Sequence, residues 1–389
     1  MRRLTLALLL VAGHASLAAT LSVVSPADKA VVPLLSADQK AYLDMRRDER
    51  REQFASPGAR ERIAEFGDRP QKVTLRWRLD GTNGMGRVQY AVRVTRADDG
   101  AVFWQGDTEK THVRLDNFEL GRAYAWEVMA KTDQGEVSAG GTFVTEDKAP
   151  RMIHLHGVPN MRDIGGRMGL GGRRVRQGRV YRSAGLNNNA TKSKDGKMKP
   201  GKERLNDAAR KYAKKTMGIR TDIDLRSDRE CFGMTGSPIG PEVTWLHVPS
   251  SAYSGFHKQG GKEAFAKVFR AFLDEGRYPI VFHCIAGADR TGSLAFVLEA
   301  LLGVDEDELY KDWEVTGFDK SKLEFRHETR FDKLVKGFDA YPGATIHERV
   351  EAFVKSCGFT DADIARFRGL MLESGTSSES CMFGLKECN

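Results

Sequence analysis

Beyond its first dozen residues the chain has no apolar run approaching the about twenty residues that a membrane-spanning helix needs, so no helical span is expected. It is also poor in cysteine, with five in 389 residues, and none stands in a zinc-binding spacing. His154-Leu155-His156 would put two rings on one face of a strand, yet an isolated pair of this kind reads as ordinary surface. No metal is therefore expected. A nucleotide cofactor is not expected either: Gly165-Gly166 and Gly169-Leu170-Gly171-Gly172 are flanked by strand-like rather than helical residues and read as a turn. Aromatic residues are scarce where positive charge is densest. Residues 171–220 hold sixteen Lys and Arg against Asp195, Glu203 and Asp207, with only Tyr181 and Tyr212 among them. That pattern gives no base-stacking platform, so nucleic acid is not an expected partner. It reads as a solvated basic face that would draw anions toward a nearby site.

What is present begins with a leader. Met1-Arg2-Arg3 precedes the apolar run Leu4–Val11, and Ser16-Leu17-Ala18 supplies small residues for cleavage near Ala18 or Ala19. Residues 1–19 thus read as a signal peptide, and the mature chain as exported, periplasmic or extracellular. Its removal takes the formal charge from +8 to +6. With no Cys at the cleavage point, a lipid anchor is not expected. Four cysteines, Cys231, Cys357, Cys381 and Cys388, stand outside the motif described next. In an oxidising compartment they allow three pairings; Cys381 with Cys388 is the nearest couple, and Cys231 and Cys357 read equally well as buried free thiols.

The most informative stretch is His283-Cys284-Ile285-Ala286-Gly287-Ala288-Asp289-Arg290-Thr291-Gly292. The apolar run Tyr278–Phe282 before it reads as a buried strand, and Ser293–Leu298 after it as a helix start. Loop N–H groups and a helix N-terminus can then converge on one anion. Cys284 at the base of such a loop would ionise readily, and Arg290 could fork two N–H bonds onto phosphate oxygens. A cysteine that merely fills a core would not need Gly287, Asp289, Thr291 and Gly292 around it.

This segment resembles the His-Cys-x5-Arg-Thr/Ser signature of the protein tyrosine phosphatase superfamily. More narrowly, it is similar to a bacterial branch, with secreted tyrosine and phosphoinositide phosphatases, whose loop reads His-Cys-x-Ala-Gly-Lys-Asp-Arg-Thr-Gly. Asn160-Met161-Arg162-Asp163-Ile164-Gly165-Gly166, Val180–Leu186 and Gly218–Ser227 resemble further segments of that branch, in the same order. One departure is Ala288, where the branch carries Lys; this puts a preference for multiply phosphorylated lipids in doubt.

The resemblance implies an α/β tyrosine phosphatase-like catalytic domain at 151–375. Ahead of it, residues 20–147 show period-two strands from Lys72 to Thr145, and Leu120–Val128 resembles a fibronectin type III strand. An all-β immunoglobulin/fibronectin-like sandwich is expected there, joined in sequence to a charged helical segment at about 37–66. Residues 376–389 form a polar tail. The implied chemistry is metal-free hydrolysis of a phosphomonoester through a phosphocysteine on Cys284, clamped by Arg290. The amides of Ile285, Ala286, Gly287 and Ala288 would cradle the phosphoryl group, with Thr291 assisting departure of the sulfur. Asp224 matches the general acid by resemblance and is favoured over Asp289, the other candidate. Arg226 would bind substrate or pair with a carboxylate. Expected substrates are phosphorylated proteins or peptides, with inositol phosphates or phosphoinositides as the alternative. A different class, a secreted binder of phosphorylated ligands without turnover, would be excluded by metal-free hydrolysis.

Overall fold

The structure, a computed structural model, describes residues 18–55, 58–81, 87–132, 135–318 and 328–374. The leader up to Leu17 and the pair Cys381 and Cys388 lie outside the described residues. The described residues divide into two compact units: those within 18–32, 72–115 and 121–146, and those within 33–71, 116–120 and 147–374.

The first unit is built from eight strands: β1 (Thr20–Ser25), β2 (Ala30–Val32), β3 (Val73–Asp80), β4 (Tyr90–Arg96), β5 (Val102–Thr108), β6 (His112–Leu115), β7 (Ala123–Thr132) and β8 (Gly135–Thr145). They form a three-stranded sheet, β1-β3-β6, and a five-stranded sheet, β2-β8-β7-β4-β5. Alternation along β7 buries Tyr124, Trp126, Val128 and Ala130 while Ala123 and Glu127 face water, as a half-buried strand requires. Trp77 of the smaller sheet meets Tyr90 and Trp126 of the larger at ring-centroid distances of 5.3 and 6.3 Å. These ring contacts link a strand of the smaller sheet to two strands of the larger.

The second unit starts with three helices, α1 (Ala37–Asp44), α2 (Arg47–Ala55) and α3 (Ala59–Glu65). Chain order groups this segment with the strands around it; the compact units place it instead with residues 147–374. The reason is physical. Tyr42, Leu43 and Ile63 share a buried cluster with Met152, Val315 and Phe318. Arg50, fully buried, is gripped by Asp307 and by Glu314 at 2.6 Å.

The sheet of this unit runs β15 (Thr244–His247), β14 (Thr221–Asp224), β16 (Ile280–His283), β11 (Val180–Ser183), β10 (Arg162–Asp163), β9 (Arg151–Met152). Its first four members run parallel, and β10 pairs antiparallel with both of its neighbours, β11 and β9. β12 (Thr191–Lys192) and β13 (Met198–Lys199) form a separate hairpin. The helices are α4 (Asp207–Lys215), α5 (Gln259–Phe272), α6 (Arg290–Leu301), α7 (Glu306–Glu314), α8 (Glu328–Gly337), α9 (Ile346–Ser356) and α10 (Asp361–Met371). Along β16, Ile280 and Phe282 join the core built by Phe265, Phe269, Phe353 and Phe367, whereas Val281 joins that of Ala209, Ala213 and Tyr181. The central strand is thus covered on both faces, which explains its uninterrupted apolar sequence. Each fully buried Phe contributes about 1.5–3 kcal/mol by leaving water. In register, Asp224 and Ser183 both lie beside His283. The carboxyl ends of three parallel strands therefore meet where the Cys284 loop begins, the usual place for a ligand in an open α/β sheet. Among the described residues no helix is long and apolar enough to cross a membrane.

Candidate active site

Cys284 leaves β16 directly, and the loop it starts ends at Asp289, the residue before α6. The backbone of this loop is pinned from behind. The Ile285 carbonyl accepts from the Gly185 N–H at 3.1 Å, that of Ala286 from Asn160 Nδ2 at 2.9 Å, and that of Gly287 from Arg182 Nη2 at 2.7 Å. Ala288 and Asp289 carbonyls accept from the Gly292 and Ser293 N–H groups at 3.0 and 2.9 Å. Because N–H and C=O point oppositely across a peptide, carbonyls held outward turn the intervening N–H groups inward. The N–H groups of residues 285–290 meet no acceptor among the described residues. A buried polar group without a partner is costly, so the loop is organised for an anion to complete it. Gly287 is needed for this bend: its φ is 72°, and a Cβ would lie 2.6 Å from the Ser183 carbonyl carbon. Asp289 makes no side-chain cap to α6, leaving that helix end open as well.

Cys284 is 1 % exposed. Burial alone would raise its pKa, but the Arg290 charge and the Thr291 hydroxyl and N–H outweigh it and hold the thiol below its ordinary value. Thr291 Oγ1 has no partner of standard hydrogen-bond geometry, so its contact to sulfur is a loose one. The other two described cysteines go the other way: burial pushes Cys231 up to about 12, with Asp224 adding to it, and Cys357 up to about 11. Both are free thiols.

Arg290 stands at the first position of α6 and is racked by Glu230, at 2.7 and 3.2 Å. Glu230 is itself fixed by the Ser227 N–H at 2.6 Å and hydroxyl at 2.9 Å. Burial opposes its ionisation, but Arg290 and Ser227 hold the Glu230 carboxyl below its usual range. The sequence signal for this rack is Ser227-x-x-Glu230, the spacing of a capping box. Sequence reasoning missed it, because nothing in the chain says which guanidinium the carboxylate will meet.

Asp224 is placed differently from its expected role, whereas Arg226 takes one of its two expected roles, pairing with a carboxylate. Both are fully buried and paired at 2.6 Å. Arg226 spends its remaining N–H groups on Asn187 and Asn189. It is a brace, with no exposed surface. Burial would raise the Asp224 pKa, but the His283 charge and the bonds from Arg226 hold it well below the carboxylate range. A carboxylate so held does not carry the proton a leaving group needs. Asp289 instead is half-buried at the mouth and accepts a hydrogen bond from Tyr253 Oη. Burial, then Asp289, raises the Tyr253 pKa, so the phenol keeps its proton. His283 is buried between Asp222, at 2.9 Å, and Asp224. Burial opposes its charge, yet those two carboxylates raise its pKa. It braces the strand ends and has no exposed surface.

Behind Gly287 lies a buried ionic cluster. Asp312 of α7 accepts from Arg162 at 2.8 Å, from Arg182 and, at 3.4 Å, from Arg167, which also approaches Glu299 at 3.5 Å. Asp312 and Glu299 gave no sequence signal, since α7 reads as an ordinary charged helix. The arrangement offers a sulfur whose pKa is lowered, a ring of inward N–H groups and a racked guanidinium: it can hold a tetrahedral oxyanion and attack its centre. Among the described residues no group of three or more His, Cys, Asp or Glu is placed to hold a metal.

A family model described as "Tyrosine phosphatase family" matches residues 153–199 and 201–373. A protein of Cupriavidus necator, named as a candidate tyrosine-protein phosphatase, is 30 % identical over 183 residues, 40 % of this chain. The chain spans 59 % of that relative's length. The core catalytic domain of the PP-IP phosphatase SIW14 from S. cerevisiae, solved with citrate, covers 42 % of this chain and 90 % of its own. Its identity is 12 % and its TM-score 0.25, a likeness too distant to carry an argument.

Proposed function

The chain belongs to the tyrosine phosphatase family, and from that premise we propose that it hydrolyses phosphotyrosine in proteins or peptides through a phosphocysteine on Cys284. The observation that carries this reading is the set of inward N–H groups at residues 285–290 above a sulfur whose pKa is lowered. Phosphoryl oxygens accept from those amides and from Arg290. The thiolate attacks phosphorus in line; the P–S bond forms as the P–O bond to tyrosine breaks. The departing oxygen takes its proton from Asp289. Water then attacks phosphorus, gives a proton to Asp289, and displaces the Cys284 thiolate with help from Thr291. The N–H groups and Arg290 are fixed before reaction, so they stabilise charge without reorganising.

The chain acts as an exported enzyme in this reading, with its leader removed. The two-sheet unit serves as a fibronectin type III-like spacer, a reading supported by its two sheets of short strands and the Trp77–Trp126 contact between them. The substrate choice is tested by the full chain in chelator, on phosphotyrosine peptides, phosphoserine peptides, inositol hexakisphosphate and phosphoinositide vesicles. The highest kcat/KM is expected on phosphotyrosine. A higher value on the inositol compounds would overturn the substrate, and no hydrolysis of any would overturn the activity.

A further inference from the structure

The helical segment at residues 33–71 lies wholly outside the residues that match the family model, yet it reaches the catalytic loop. Ser36 and Gln39 close a capping box that starts α1. Gln39, 1 % exposed, then donates from Nε2 to the Gly67 carbonyl at 2.7 Å. This holds the turn after α3, at Gly67 with φ 75°. The next residue, Asp68, accepts the Asn160 backbone N–H at 2.5 Å. Asn160 is fully buried and sits at φ 55°, in the left-handed region that asparagine enters more readily than most residues other than glycine. Its side chain is held from both ends: Oδ1 accepts from Arg162 Nη1 at 2.6 Å, and Nδ2 donates to the Ala286 carbonyl at 2.9 Å.

We propose that Asp68 is a positioning residue of the catalytic loop: it holds Asn160 in its left-handed conformation, and Asn160 holds the Ala286 carbonyl outward. The link matters because the Ala286–Gly287 peptide has two orientations. With the Ala286 carbonyl outward, the Gly287 N–H points at the bound oxyanion; with the peptide turned over, a carbonyl dipole would point there and repel it. Without Asp68, the Asn160 N–H loses its acceptor in a part-buried place, and the conformation that aims Nδ2 at Ala286 loses its support. The segment is well placed for such a task. Arg50 ties it to α7 at Glu314, and Tyr42 and Phe66 each pack edge-on against Phe318 at 5.6 Å.

The inference rests on the proposed oxyanion cradle, and its test separates the two. Tungstate, a tetrahedral oxyanion, is titrated against the full chain, and kcat and KM are measured in parallel on p-nitrophenyl phosphate, for wild type, Asp68→Ala, Asp68→Asn, Asn160→Ala and the Asp68→Ala/Asn160→Ala double variant. Near-UV circular dichroism confirms that each is folded. Asp68→Ala is expected to lose roughly 10- to 100-fold in tungstate affinity and in kcat/KM, the range of a charge-assisted hydrogen bond. Asp68→Asn keeps an acceptor oxygen and is expected to stay within about threefold of wild type. The double variant should fall no further than Asn160→Ala, because both act on one carbonyl. Wild-type tungstate affinity in folded Asp68→Ala, or losses that multiply in the double variant, would overturn the inference. If wild type binds tungstate but hydrolyses no phosphomonoester, the proposed function fails, while weaker tungstate binding by Asp68→Ala still upholds this one. If wild type binds no tungstate, the cradle itself is wrong and the inference goes with it.

Discussion

The two aspartates at the site should respond to amidation in opposite ways. Asp289→Asn removes a half-buried carboxyl that, among the described residues, is hydrogen-bonded to the Tyr253 hydroxyl. Fold stability should change little, whereas proton delivery to the leaving oxygen is lost. General acid catalysis is worth roughly 100- to 10,000-fold, or about 3–5 kcal/mol of barrier. That loss should appear on phenyl phosphate, which needs the proton, and largely vanish on p-nitrophenyl phosphate, which does not. Asp224→Asn instead leaves Arg226 buried without its counter-charge. Three contacts at 2.6–3.1 Å join these residues, and both are fully buried. Removing one partner of such a pair costs about 3–5 kcal/mol of folding stability. The Asp224 pKa is depressed in the fold, so the stability it contributes is present above the unfolded value, near about 3.9, and is lost as pH falls towards its folded value. The penalty of Asp224→Asn in urea unfolding should therefore be full at neutral pH and shrink in acid. The assays are kcat on the two esters and urea midpoints against pH. If Asp224→Asn proves stable and selectively slow on phenyl phosphate, the acid is Asp224 and the reasoning from burial is refuted.

Two further outcomes follow from the site's supports. Glu230→Gln keeps the shape but loses the charge that racks Arg290; kcat/KM on p-nitrophenyl phosphate should drop roughly tenfold, and an unchanged value would show that Arg290 needs no rack. Burial, then Asp312, raises the Glu299 pKa to about 8. A carboxyl raised in the fold contributes stability below its unfolded pKa and loses it as pH climbs to the folded one. Glu299→Gln should hence gain on wild type by about 1 kcal/mol or more between pH 5 and pH 8, and parallel stability curves would contradict this.

How far the chain could be read in advance depended on distance along it. The Cys284 loop was legible because nucleophile, glycine bend, arginine and helix start are consecutive, and because an apolar strand with no alternation must be covered on both faces. Arg226 was ambiguous: a guanidinium two residues from a carboxylate can pair with it or reach past it, and only the neighbouring Asn187 and Asn189 decide. Glu230, Tyr253 and Asp312 are brought to the loop across 60, 36 and 130 residues by their contacts with Arg290, Asp289 and Arg182. Their own surroundings in sequence carry no trace of those partners. The charged helices at 37–66 were visible as helices, but their side chains look solvated; that Arg50 is buried against α7 depends on carboxylates more than 250 residues away. Asp68 belongs to the same class, an exposed-looking residue after a glycine whose partner lies 92 residues on.

The most direct test is to mix the full chain with a radiolabelled phosphomonoester, quench in acid within milliseconds, and map the label by peptide mass spectrometry. The account predicts a phosphoryl group on the Cys284 sulfur that decays with turnover and is absent from Cys284→Ser. Label on any other side chain, or steady hydrolysis with no covalent species and undiminished by Cys284→Ser, would contradict it.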